Sequence, residues 1–164
     1  MTAQAPLPAA MGTLQAALGL YARHIVLLTA LSLPPALARV ALFLEAPWMA
    51  GPMGGWVELM VGGFRFALLF AAFRLVWPQG LAGLEAGMAG GALLRRIAWP
   101  AVAWQVVLLV LVPLILNLAA GLLSGLVTGE PREQNAILFA LKNLLVIPFW
   151  MVHLLVAIRT AIQG

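Results

Sequence analysis

Residues 62–77 read GGFRFALLFAAFRLVW, an apolar stretch of helical length that carries two arginines, Arg65 and Arg74. Arginine at the centre of a bilayer costs about 2.5–3.5 kcal/mol on insertion scales. The other side chains of the stretch are apolar, so its natural solvent is lipid. The position of each arginine therefore indicates how the chain lies in a membrane and where a polar site could be.

The composition of the whole chain agrees with a lipid environment. Hydrophobic residues make up 64% of the 164 residues and charged residues 9%, whereas a soluble domain is about 25% charged. There is no cysteine, so disulfides and thiolate metal sites are excluded. The net charge of +4 comes from scattered arginines, and without a clustered basic face no nucleic-acid partner is expected. Eight arginines to one lysine is typical of a GC-rich bacterial genome.

Four stretches are long enough to cross about 30 Å of hydrocarbon, which takes roughly 20 helical residues. They are Ile25–Leu44, Trp56–Trp77, Ala98–Leu122 and Ala136–Ile158. The connections between them are too short to form a soluble module. The sequence therefore predicts an all-α polytopic membrane protein with one domain, residues 1–164, and four transmembrane helices.

The distribution of basic and aromatic residues predicts the orientation. Arginines dominate one set of span ends, and four glutamates mark the other set. The positive-inside rule then places both termini and the 78–97 connection in the cytoplasm, here that of a bacterial inner membrane. The residues expected to anchor the inner boundary are Arg23, Arg74, Trp77, Arg95, Arg96 and Trp99.

The N-terminal region has two readings. A basic start, a short apolar run and an Ala-x-Ala ending resemble a secretory signal cleaved after Ala38. The alternative, which the continuing apolar run favours, is a first span kinked at Pro34 and Pro35. In that reading a neighbouring hydroxyl such as that of Ser32 satisfies the carbonyls that the prolines leave without a donor.

Two further segments have helical spacing of apolar residues and predict amphipathic helices along the inner membrane surface, at about 9–21 and 81–94. Residues 14–25, LQAALGLYARHI, and 84–97, LEAGMAGGALLRRI, begin alike and end alike. Each precedes a proline-containing apolar segment. This pattern predicts an internal 2+2 duplication, a surface helix plus a hairpin occurring twice about an axis along the membrane normal.

The segments LGLYARHIVLLTALSLP and GLAGLEAGMAGGALLRRIAWPAVAW resemble the bacterial membrane domain attached to some glycerophosphodiester phosphodiesterases, and related small membrane proteins of unknown role. The resemblance covers residues 14–40 and 78–105. Relatives usually have about six spans, and this chain has no phosphodiesterase domain. The resemblance therefore implies an accessory role in the membrane and assigns no catalytic residue.

No set of residues predicts catalysis or metal binding. A catalytic serine–histidine pair needs the two side chains within about 3 Å of each other. The predicted topology separates Ser124 and His153 by about 25 Å along the membrane normal. The two histidines lack metal-ligand spacing. We therefore expect no enzyme activity, no metal and no cofactor.

Helix geometry separates the two arginines of residues 62–77. Arg74 lies one turn from the inner boundary, where its long side chain reaches the headgroups. Arg65 lies near the midplane and extends toward Glu58, which is seven residues earlier on nearly the same face. Asn117 or Asn143 of a partner helix could complete the contacts of Arg65. One reading is an ion pair that locks the bundle, and the other is a polar pocket open to the outer side.

The fourth span adds two more polar residues on one predicted face, Lys142 and His153. Lys142 can extend outward, and His153 is expected to hydrogen-bond across to Gln105 in the inner leaflet. Val146 and Phe149 lie between them on that face, so no continuous proton path is expected.

Two functions follow as hypotheses. Small-residue tracts and kinking prolines favour a non-catalytic accessory or assembly subunit that packs against other membrane helices or against itself. The alternative is a component of a membrane transporter, with Glu58, Arg65 and Lys142 lining a site for an anionic solute or lipid headgroup.

Overall fold

The computed structural model describes residues 5–49, 51–80, 82 and 99–163, and this part of the chain is helical without any strand. The helices are α1 (Pro6–Arg23), α2 (Ile25–Phe43), α3 (Pro52–Val76), α4 (Trp99–Val127), α5 (Pro131–Leu141) and α6 (Ile147–Gln163). A 3-10 turn, Pro47–Met49, precedes α3, and a π-helical segment, Lys142–Val146, joins α5 to α6.

Within the described residues, four helical stretches are long and apolar enough to cross a membrane, which confirms that part of the prediction. They are Ile25–Phe43, Pro52–Val76, Trp99–Val127 and Pro131–Ile162. The second, third and fourth extend past the predicted spans at the ends assigned to the outer side. Proline occupies the first turn of α3 and α5, where its missing N–H is not needed, so these helices begin before the apolar residues do.

The N-terminal segment is a helix, but its packing differs from a simple apolar stripe. α1 contacts α4 and α6, and its small residues Ala10, Thr13 and Ala17 are buried together with Tyr21. The larger Leu7 and Leu18 are exposed. That α1 lies along the membrane surface stays a prediction. The second expected surface helix, 81–94, falls outside the described residues except for residue 82, so the internal duplication stays a prediction.

Prolines inside two of the spans leave backbone carbonyls without their usual helical donor. The Ser32 hydroxyl donates to the Leu28 carbonyl at 2.8 Å. Pro34 and Pro35 leave the carbonyls of Ala30 and Leu31 without a donor, and Leu28 is neither of these. The expectation that Ser32 satisfies a carbonyl freed by a proline is therefore wrong. In α4, by contrast, Pro113 frees the Leu109 carbonyl, and the indole Nε1 of Trp150 on α6 donates to it at 3.0 Å.

The tightly packed core occupies one half of the bundle. It joins α1, α2, α3 and α6 through Ala17, Tyr21, Leu28, Leu68, Ala72, Phe149 and Val152. These residues lie in the C-terminal halves of α1 and α3 and toward the N-terminal ends of α2 and α6. The opposite half of the bundle is less filled, and it contains the polar residues described next.

Candidate functional site

The first feature of the polar half is an ion pair that differs from the predicted one. The guanidinium of Arg39 on α2 lies 3.1 Å from the Glu58 carboxylate on α3, with a second contact at 3.2 Å. The predicted Glu58–Arg65 pair is therefore wrong. Arg39 and Glu58 lie near the short connection between two antiparallel helices, whereas Arg65 lies about two turns further along α3 than Glu58.

Arg65 instead lines a cavity of about 470 Å³ among the spans. Five of the ten lining residues are charged or carry side-chain amides, namely Arg39, Arg65, Asn117, Lys142 and Asn143. The structure thus brings together four of the five residues predicted to form an intramembrane polar cluster, and Glu58 contacts the cavity only through its partner Arg39. The remaining five lining residues are apolar or aromatic, namely Pro113, Phe139, Val146, Ile147 and Trp150.

The π-helical segment positions the cavity's cation and amide on the fourth span. Within it the N–H of Ile147 donates to the carbonyl of Lys142, five residues back. Pro148 follows at once and has no N–H to donate, which favours departure from the α-helical ladder. Lys142, Asn143 and Val146 of this segment all line the cavity. Such π-segments are frequent at functional sites.

The charges around the cavity are unbalanced. Glu58 pairs with Arg39, and within the described residues Arg65 and Lys142 have no carboxylate partner. Lys142 places its ammonium 5.2 Å from the centre of the Phe139 ring, a contact that solvates a cation without neutralising it. Two cations in a membrane-spanning bundle are costly unless water or an anion accompanies them.

One cavity amide also lacks a partner. The side-chain oxygen of Asn117 is buried and accepts no hydrogen bond within the described part of the chain. Asn143, by contrast, donates to the Phe139 carbonyl at 2.7 Å. Leaving this buried oxygen without a hydrogen bond costs about 1–3 kcal/mol of stability. A molecule in the cavity that donates a hydrogen bond to it would recover that cost.

The inner polar residues are arranged differently from the prediction. His153 is fully buried beneath Phe149 and makes no hydrogen bond to Gln105, whose amide nitrogen donates to the Ala10 carbonyl of α1 at 3.2 Å. Lys142 lines the cavity, whereas His153 is not among the lining residues. Nearby, burial raises the pKa of the Tyr21 phenol above its ordinary value, so this hydroxyl stays neutral.

The predicted boundary residues differ in their exposure. Arg23, Arg74 and Trp99 are exposed, as membrane anchors require, and the Arg74 guanidinium lies beside Gly80 at the end of α3. Trp77 differs from the prediction: it is 4% exposed and stacks on Phe73 with ring centres 5.1 Å apart, so it packs inside the protein. Arg95 and Arg96 fall outside the described residues.

Sequence reasoning missed Arg39 and Trp150 as parts of this site. Arg39 could have been found, because the short connection between α2 and α3 places it opposite Glu58. Trp150 carried a weaker signal, since Pro113 implies a free carbonyl without indicating which donor reaches it.

The described residues contain no group of three or more His, Asp or Glu side chains able to hold a metal ion. The Ser124 hydroxyl donates to the Gly121 carbonyl of its own helix at 2.9 Å. The resemblance to the phosphodiesterase-associated membrane domain stays a prediction. Comparison of the chain with models of known families, with curated proteins and with solved structures gives no match.

Proposed function

We propose that this protein is a non-catalytic integral membrane protein that binds an anion in the cavity between its spans, as the ligand-holding component of a transport system. The observation that carries the proposal is the charge of that cavity. Among the described residues three cations line it, and the Glu58 carboxylate beside it pairs with Arg39.

Membrane energetics support an anionic ligand. A lone cation within a span is costly, and intramembrane ionisable groups commonly mark substrate or ion pathways. A volume of about 470 Å³ lies within the range of small-molecule sites. The mixture of apolar walls with a few converging polar groups is also characteristic of such sites.

The test measures anion binding by purified protein in neutral detergent. Soluble anions and a short-chain anionic lipid are each titrated while thermal unfolding is followed. We expect at least one of them to stabilise the wild type, and Arg65→Gln to weaken that binding about tenfold or more, because it removes a charge-assisted hydrogen bond.

Arg74→Gln is the matched control, since it removes an exposed arginine side chain from the same helix but outside the cavity. It should bind as the wild type does. If no anion of either kind distinguishes Arg65→Gln from Arg74→Gln, the proposal fails.

The accessory or assembly role stays a prediction beside this one. Purification in mild detergent, with identification of co-eluting membrane proteins, tests it independently of ligand binding.

A further inference from the structure

We infer that the anion is a phosphate carried by a membrane lipid of net negative charge, which reaches the cavity sideways through the gap between α3 and α4. The inference rests on the proposed function and names the ligand class of the same site. Its chemistry is that of a phosphate oxyanion, and a free phosphate ion is the competing source.

The helix arrangement provides a lateral opening. α3 packs on α2 and α6, whereas α4 packs on α1, α5, α6 and the π-segment. The two helices nevertheless line one cavity, through Arg65 on α3 and Asn117 on α4. Among the described residues, α3 and α4 make few or no direct contacts, so the side of the cavity between them is not closed by packing of one helix on the other.

The residues beside this gap favour acyl chains. Phe66 and Leu69, next to and one turn after Arg65, are exposed, as are Leu114 and Leu118 on either side of Asn117. In a membrane these side chains contact lipid tails. The cations therefore lie immediately beside hydrocarbon, and a ligand that approaches through the gap brings an apolar part with it.

The cavity itself suits an amphipathic ligand better than a small ion. Half of its lining residues are apolar or aromatic, and a bare phosphate of five heavy atoms would leave those walls against water. A lipid places its phosphate at Arg65 and Lys142 and its glycerol and first acyl carbons against Val146, Ile147 and Trp150. Hydroxyl groups of a glycerol headgroup would also supply the hydrogen bond that the buried Asn117 oxygen lacks.

The experiment compares three ligands that share a phosphate, namely dioctanoyl phosphatidylglycerol, zwitterionic dioctanoyl phosphatidylcholine and soluble glycerol 1-phosphate. Protein in neutral detergent is titrated with each, and native mass spectrometry counts the molecules retained per chain. We expect one retained phosphatidylglycerol, bound about tenfold more tightly than phosphatidylcholine, and no binding of glycerol 1-phosphate in the same range. Arg65→Gln and, separately, Lys142→Gln should each weaken phosphatidylglycerol binding about tenfold, while Arg74→Gln leaves it unchanged.

The outcomes separate this inference from the proposed function. Arg65-dependent binding of glycerol 1-phosphate with no preference for the lipid would overturn the lipid source and leave anion binding intact. Equal retention of both lipids by the wild type and by both cavity variants would overturn the inference as non-specific lipid association. If none of the ligands responds to Arg65→Gln or Lys142→Gln, the inference fails. The proposed function fails as well only if the soluble anions titrated above also do not distinguish Arg65→Gln from Arg74→Gln. Arg65 is exposed and pairs with no carboxylate among the described residues, so Arg65→Gln leaves no unpaired charge behind and should fold. Lys142→Gln provides an independent second variant.

Discussion

At the scale of single residues, the partner of Glu58 decides what Arg65 is free to do. Had Glu58 paired with Arg65, the midplane charge would have been a structural lock. Arg39 takes that carboxylate instead, at 3.1 Å, and leaves Arg65 facing the cavity. A difference in one ion pair therefore changes the interpretation of the site from an internal bond to a ligand-binding group.

A double-mutant cycle tests this pairing. Glu58→Leu and Arg39→Leu should each lower stability in detergent, because each strands a charge, and the double change should recover part of the loss. We expect a coupling of about 1 kcal/mol, within the range for contacting groups. The melting temperatures of the four proteins give the coupling.

The control cycle combines Glu58→Leu with Arg65→Leu, whose effects should simply add. Coupling between Glu58 and Arg65 comparable to that between Glu58 and Arg39 would contradict the observed pairing.

At the scale of elements, prolines interrupt the backbone hydrogen bonds of the spans, and a side chain of a neighbouring helix replaces one of the lost donors. Pro113 removes an N–H from α4, and Trp150 of α6 crosses over to bond the Leu109 carbonyl that is left without a donor. Pro148 follows the π-segment that directs Lys142 and Asn143 to the cavity. The irregular parts of two helices therefore build the wall of the site.

The contact between these helices gives a second stability prediction. Trp150→Phe keeps an aromatic ring but leaves the Leu109 carbonyl without its donor, and should cost about 0.6–1.7 kcal/mol, as for other interhelical hydrogen bonds in membranes. In a Pro113→Ala background, residue 113 supplies an N–H to that carbonyl, so the same change should cost less. Thermal unfolding of the four proteins measures both costs. An equal cost of Trp150→Phe in both backgrounds would show that the bond to Leu109 is not what Trp150 contributes.

At the scale of the whole molecule, the core cluster and the cavity occupy different halves of the bundle. The core of α1, α2, α3 and α6 fills the half that the positive-inside rule assigns to the cytoplasm. The cavity lies in the other half, beside the ion pair of Arg39 and Glu58. With the predicted orientation, the proposed ligand would reach the cavity from the outer leaflet.

Topology reporters test that orientation. Fusions after Gly54 and at Gln134 should report the outer side, and fusions at Gly80 and at the C-terminus the cytoplasm, because arginines concentrate at the latter ends. A cytoplasmic signal at Gly54 would reverse the orientation and place the cavity in the inner leaflet.

The sequence by itself determined the number of spans, their approximate positions and the exposure of Arg74. These properties depend on local hydropathy and on the distance of a side chain from a helix end, so they need no knowledge of neighbouring helices. The sequence also predicted that Arg65, Asn117, Lys142 and Asn143 would come together, because all four lie at similar depths in their spans.

Only the tertiary structure decided which of these groups pair and which remain open to a ligand. Helix rotation and spacing determine whether Glu58 meets Arg39 or Arg65, and the same factors separate α3 from α4 to leave the cavity. The π-segment carries Lys142 and Asn143 at the cavity wall, and no periodicity in the sequence signals it. Such features result from packing between elements distant in the chain, and a hydropathy pattern carries no information about that packing.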